Sequence, residues 1–133
     1  MNSAQVTPEG WPRGAGYAHG AVAHGRVLCT AGQIGWDPLT EKLVGPDFAT
    51  QAAQALANVA TVLRAGGARP EHLVRLTWYV TDRAAYLDAR AHIGTAYRRH
   101  FDRYFPAMTV VIVAGLLEAG ALVEIEATAV IPD

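Results

Sequence analysis

Cysteine occurs once in the 133 residues, at Cys29. No disulfide can form within the chain, which favours a reducing compartment. Cys29 closes the run Val27-Leu28-Cys29, and that context predicts a small buried hydrophobe rather than a reactive thiol. Lysine also occurs once, at Lys42, so the positive charge is nearly all arginine. Neither sign is in excess: 11 Lys and Arg against 12 Asp and Glu leave a formal net charge of −1. That balance argues against the basic footprint of a nucleic-acid binder and against a polybasic membrane anchor. No apolar run approaches the ~20 residues that span a bilayer. Met1 to Gly10 has neither the basic region nor the apolar region of a signal peptide. By elimination, the expectation is a cytoplasmic protein with no membrane and no nucleic-acid partner. The five histidines, His19, His24, His72, His92 and His100, form no spaced ligand set, so no metal is expected. A P-loop, a dinucleotide-binding glycine run and a nucleophile elbow are all missing.

What is present is apolar periodicity. Half of the residues are apolar, enough for one ordinary core, and the length suits one domain over 1–133. Residues 1–16, rich in Pro and Gly, read as an extended lead-in. Tyr17 to Gln33 reads as two strands around a turn at His24-Gly25. The punctuated stretch Gly32 to Pro46 reads as a loop or hairpin. Phe48, Ala52, Ala55, Leu56, Val59, Val62 and Leu63 recur at helical spacing, and Gly66-Gly67 stops that helix. Leu73 to Val80 alternates as a strand, with Val74, Leu76, Trp78 and Val80 on one face. Asp82 caps a second helix from about Ala84 to Tyr104, ended by Pro106 and striped by Tyr86, Ala89, Ile93, Tyr97, His100 and Tyr104. Met108 to Val113 is a strand, Leu116 to Gly120 a turn joining it to its neighbour, and Leu122 to Ile131 the last strand. The order implies an α+β sandwich, a mixed sheet with two helices on one face. The two-sided apolar run Val110 to Val113 asks for further cover, which points to an oligomer.

Four stretches carry a resemblance. They are Gly16-Tyr17 before a short strand, and Thr30-Ala31-Gly32-Gln33-Ile34. The third is Gln51-Ala52-x-Gln54-Ala55-Leu56-x-Asn58-Val59. The fourth is Phe105-Pro106-Ala107-Met108-Thr109 with Val123-Glu124-Ile125-Glu126-Ala127. Over residues 16–131 the chain resembles the Rid (reactive intermediate deaminase, or YjgF) family. The resemblance implies a chorismate-mutase-like fold, a homotrimeric barrel and a cleft at each subunit junction. It implies cofactor-free hydrolysis of reactive enamines or imines to a keto acid and ammonia. Residue by residue, it assigns Glu124 as the catalytic carboxylate that positions water, Tyr17 as a cleft-lining ring and Gly32 as a backbone donor. The family's arginine, which holds the substrate carboxylate, is replaced here by Met108.

Methionine cannot make the charge-assisted pair that a guanidinium makes with a carboxylate. Three readings follow: the substrate has no carboxylate, another cation reaches it, or the site is not catalytic. Arg90, close to the apolar stripe of the second helix, is the candidate cation. It matches a cleft-lining position when aligned from Tyr86, whereas Ala91 does when aligned from Phe105. The alternative is an arginine lying along an interface or paired with Asp88 or Glu126. Glu126 shares a strand face with Glu124 and is read as structural. Trp36 either caps the cleft or anchors a surface loop. The functional expectation is an enamine or imine hydrolase with weak or no activity on 2-imino acids. The alternative is a non-catalytic trimeric module that binds a small molecule. A ribonuclease or chaperone role, sometimes attached to the family, finds no basic stripe to support it.

Overall fold

The structure, a computed structural model, describes residues 3–133. Its strands are β1 (Ser3–Val6), β2 (Gly20–Ala23), β3 (Arg26–Cys29), β4 (Gln33–Ile34), β5 (Trp36–Asp37) and β6 (Lys42–Leu43). Helix α1 (Phe48–Ala65), β7 (Leu73–Val80), α2 (Arg83–Asp88), α3 (Arg90–Phe101), β8 (Ala107–Ile112) and β9 (Val123–Ile131) follow. The main sheet has the order β3-β9-β7-β8, with β4 also paired to β9. Only β7 and β8 run parallel; β3, β4 and β7 are antiparallel to β9. The helices cover one face, giving the α+β class expected.

Alternation decides which side chains enter the core. Leu76, Trp78 and Val80 of β7 and Val123, Ile125, Ala127 and Ala129 of β9 are buried beneath α1 and α3. Thr77, Tyr79, Glu124 and Glu126 occupy the other face of the same rows. One expectation on β7 shifts: the register slips between Leu73 and Arg75. Leu73, rather than Val74, is therefore the buried residue at that end.

Asp47 caps α1 by accepting from the Thr50 amide at 2.9 Å, and that bonding holds its carboxyl below the usual carboxylate range. The helix hides amides as well as apolar groups. Gln51 is fully buried. It donates to the carbonyls of Gly45 and Gly120 at 2.8 and 3.0 Å and accepts from the Leu122 amide at 2.8 Å. Asn58 donates to the carbonyls of Ile34 and Trp36 at 3.2 and 2.8 Å, and Gln54 donates to Asn58. Each buried backbone group needs a partner, and these side chains supply partners for loops that have no ladder of their own.

Several sequence expectations are corrected. The extended lead-in is partly a paired strand, Ser3–Val6 on Gly20–Ala23, and its residues 1–2 lie outside the described residues. β2 and β3 are not partners around His24-Gly25; β3 pairs with β9 instead. The second helix is two, divided at buried Ala89, and the latter ends at Phe101 rather than at about Tyr104. Asp102 takes a left-handed conformation (φ 54) that turns the chain out of the helix. Cys29 is exposed, because it points to the face away from the helices. His100 is half-buried, and burial, with Arg64 and Arg99 nearby, pushes its imidazole pKa down. No helix among the described residues is long and apolar enough to cross a membrane.

The Gln51 network makes a direct prediction. Gln51→Ala removes three hydrogen bonds and strands buried carbonyls and an amide. Each unmet group costs about 1–3 kcal/mol, so unfolding in urea at fixed protein concentration is expected to show a loss of about 3 kcal/mol. A loss below about 1 kcal/mol would contradict this account of the network.

Candidate functional site

Strand β3 leaves β9 at one point and β4 resumes the pairing. Cys29 faces Thr128 and Gln33 faces Ile125, so four steps on one strand match three on the other. One extra residue is absorbed between Thr30 and Gly32, which is a bulge. Thr30 pins it, its amide donating to the Ala127 carbonyl and its hydroxyl accepting from the Ala127 amide. The bulge presses Gly32 onto the Glu124 side chain. A methyl group added to Gly32 would lie 1.9 Å from Glu124 Oε2 and 2.8 Å from its carboxyl carbon. Only glycine leaves room for that carboxylate. Next to it, Tyr79 donates to Glu126 Oε1 at 2.7 Å, which raises the phenol pKa and keeps it a neutral donor. Glu126 is thus held by a phenol of the neighbouring strand.

Met108 lies elsewhere. It sits in register with Leu76, on the helix side of the sheet. The turn before it is held by Ala18, whose amide donates to the Pro106 carbonyl at 2.9 Å, so Tyr17 flanks the start of β8. The Tyr17 ring itself packs edge-on against His19, 5.4 Å away. Between β8, the end of β7 and helices α2 and α3 is a cavity of about 380 Å³. Met108 and Arg90 both line it, with Gly16, Trp78, Tyr86 and Phe105. The Arg90 Nε donates to the Leu87 carbonyl at 3.1 Å, which fixes the root of the guanidinium. Among the described residues, Arg90 makes no ion pair with Asp88 or Glu126. Trp36 stands apart, its indole donating to Gln33 at 3.2 Å.

Four of the five candidates form two pairs: Gly32 and Glu124 meet on one side of the sheet, and Arg90 and Met108 line the cavity on the other, while Tyr17 flanks the start of β8 outside that lining. The expected pairing of the last two strands is overturned, since β7 lies between β8 and β9. Glu124 faces Tyr79 and Met108 faces Leu76. At ~4.8 Å per strand and ~3.3 Å per residue, their Cα atoms are roughly 14 Å apart, with side chains on opposite faces. The cavity also draws on Trp78, Phe105, Arg98 and Arg103, which the sequence reading did not single out. The spacing Arg90, Gly94, Arg98 was the available signal, because residues four apart share a helix face.

Residues 12–131 match the family described as Endoribonuclease L-PSP. The chain belongs to the Rid (YjgF) family. It is 34% identical over 110 residues to the 2-iminobutanoate/2-iminopropanoate deaminase of Bos taurus, covering 83% of this chain and 77% of that one. Among solved structures it is similar to the Rid-family protein YyfB of Yersinia pestis. That match has 36% identity and a TM-score of 0.82, and covers 98% of this chain and 100% of the other. It is also similar to E. coli TdcF with bound serine, at 30% identity, a TM-score of 0.66 and coverage of 96% and 98%. Family and fold thus agree with the resemblance drawn from the motifs. Among the described residues, no group of three or more His, Cys, Asp or Glu could hold a metal ion.

The fit at Gly32 generates a prediction. Gly32→Ala is expected to displace the Glu124 carboxylate by at least ~2 Å while stability changes by less than about 1 kcal/mol, because only a flexible side chain has to move. A crystal structure of the variant with Glu124 in its original place would contradict the packing described.

Proposed function

We propose that the protein is a cofactor-free hydrolase of a small enamine or imine, working as a homotrimer with its clefts between subunits. Turnover of 2-imino acids is much weaker than in relatives with arginine at the position of Met108. The observation that carries the reading is Glu124 seated on Gly32, a carboxylate for which the bulge and the missing side chain make room. Water adds to the carbon of the C=N bond, Glu124 accepts its proton, and the nitrogen is protonated. The carbinolamine then expels ammonia and leaves a carbonyl group. A positioned carboxylate within reach of that water meets the geometric requirement for general-base work. The Bos taurus relative is named for the same reaction class.

The separation of the two residue groups supports the trimer. A cleft that combines Glu124 with Met108 cannot close within one chain, so a neighbouring copy has to supply one half. Exposed Val27, Val111 and Ile112 give the sheet apolar surface to cover. Light scattering at micromolar concentration is expected to give about three times the 14.2 kDa of the chain. A monomer would end the inter-subunit reading.

Met108 sets the substrate preference. A guanidinium–carboxylate pair contributes about 1.5–3 kcal/mol per charge-assisted bond, so its loss slows 2-imino acid turnover tenfold or more. Ammonia release from 2-iminobutyrate should be at least ~10-fold slower than in arginine-bearing relatives, and Met108→Arg should recover at least ~10-fold. Wild-type rates equal to those relatives contradict the assignment. A second reading, a trimeric binding module without turnover, is favoured by the apolar character that Met108 gives the cavity. Its signature is ligand binding with no ammonia released from any imine or enamine.

A further inference from the structure

Three arginines, Arg90, Arg98 and Arg103, line the cavity over β8, and among the described residues none of them makes an ion pair. Arg90 and Arg98 lie on one helix face on either side of Gly94. The Arg98 guanidinium folds back over that glycine, its Nη1 only 3.1 Å from where a methyl group would stand. The missing side chain of Gly94 thus gives the Arg98 guanidinium room to lie over the helix on the side toward Arg90. The charge of Arg90 also reaches the Tyr86 hydroxyl, where it works against the upward push of burial on the phenol pKa. Beneath the guanidinium groups the walls are Trp78, Tyr86, Ile93, Tyr97, Phe105 and Met108. Trp78 keeps a buried indole N–H with no hydrogen-bond partner. Unpaired guanidinium groups over an aromatic and aliphatic floor match one ligand chemistry.

We propose that this cavity binds a carboxylate carrying an aryl or branched alkyl group, with the anion between Arg90 and Arg98 and the apolar body on Met108, Ile93 and Phe105. The inference rests on the reading of this face as half of the cleft and names its substrate class. In a relative with arginine at position 108, the cation would lie on the floor and draw a small carboxylate down to it. Here the cations stand at the rim and the floor is apolar, so the ligand reaches further and buries a larger body. Each buried methylene adds about 0.8 kcal/mol, roughly fourfold in affinity. A cavity of about 380 Å³ is in the range that holds a small organic ligand.

The test uses an inert probe, 3-phenylpropionate, titrated calorimetrically into the intact protein. It should bind at least ~10-fold tighter than acetate, which lacks the apolar body, and than 3-phenylpropionamide, which lacks the charge. Arg90→Gln and Arg98→Gln, both at exposed positions, should each weaken it about tenfold or more. Gly94→Leu, compatible with a helix, should abolish binding by pushing the Arg98 guanidinium off position 94, with the thermal unfolding midpoint unchanged or raised. Equal binding of acetate or the amide, or binding indifferent to both arginine variants or to Gly94→Leu, overturns the inference. The hydrolase reading fails separately. Tight binding of the probe with no ammonia from any imine or enamine removes hydrolysis and leaves this site standing, whereas ammonia release without probe binding does the reverse.

Discussion

A parallel pair of strands cannot be closed by a short turn. Strand β7 ends at Val80 and β8 begins at Ala107, and the crossover between them is α2 and α3. The chain then passes over the end of β7, with the Val113 amide on the Val80 carbonyl and the Thr81 amide on the Leu122 carbonyl. It comes down as β9 on the far side. This insertion of β7 between β8 and β9 governs everything that follows. It brings α3 above Met108, so that helix and strand edge share a cavity. It turns Glu124 to the opposite face, toward the bulge at Gly32. The chain thus presents two separate groups of candidate residues, one on each face of the sheet.

The architecture was legible in the sequence wherever period and punctuation agreed. The first helix, the alternation of β7 and β9 and the cap Asp82 need only local spacing. Pairing was not legible, because partners are chosen across the chain. A turn between Met108–Val113 and Leu122–Ile131 suggests a hairpin, yet the parallel pairing of β7 and β8 takes the place that a hairpin partner would fill. Ala89 gave no sign of breaking a helix, since alanine favours one; the break comes where Ala89 is buried against the core. Gln51 and Asn58 were visible as a motif, but their burial depends on loops brought from residues 34–45 and 120–122.

The site was legible in its residue types and not in its geometry. Glu124 and Gly32 were marked separately, and their contact arises from a one-residue bulge that no local pattern announces. Met108 was marked by the arginine it replaces. Its surroundings are apolar and continuous with the core, and the arginines that border the same cavity come from α3 and the segment after it. Arg90 illustrates the limit of a helical wheel, which places a residue near an apolar stripe but cannot say whether the stripe borders a cavity.

The scarcity of lysine has a consequence for self-protection. Lys42 lies exposed on β6, in register with Asp37, and does not line the cavity over β8. Carbonyl compounds condense with neutral primary amines, and lysine is the side chain that offers one. Guanidinium groups stay protonated at any physiological pH and are poor nucleophiles. The cavity over β8, whose cations are all arginine, therefore offers no amine for Schiff-base formation with a carbonyl compound.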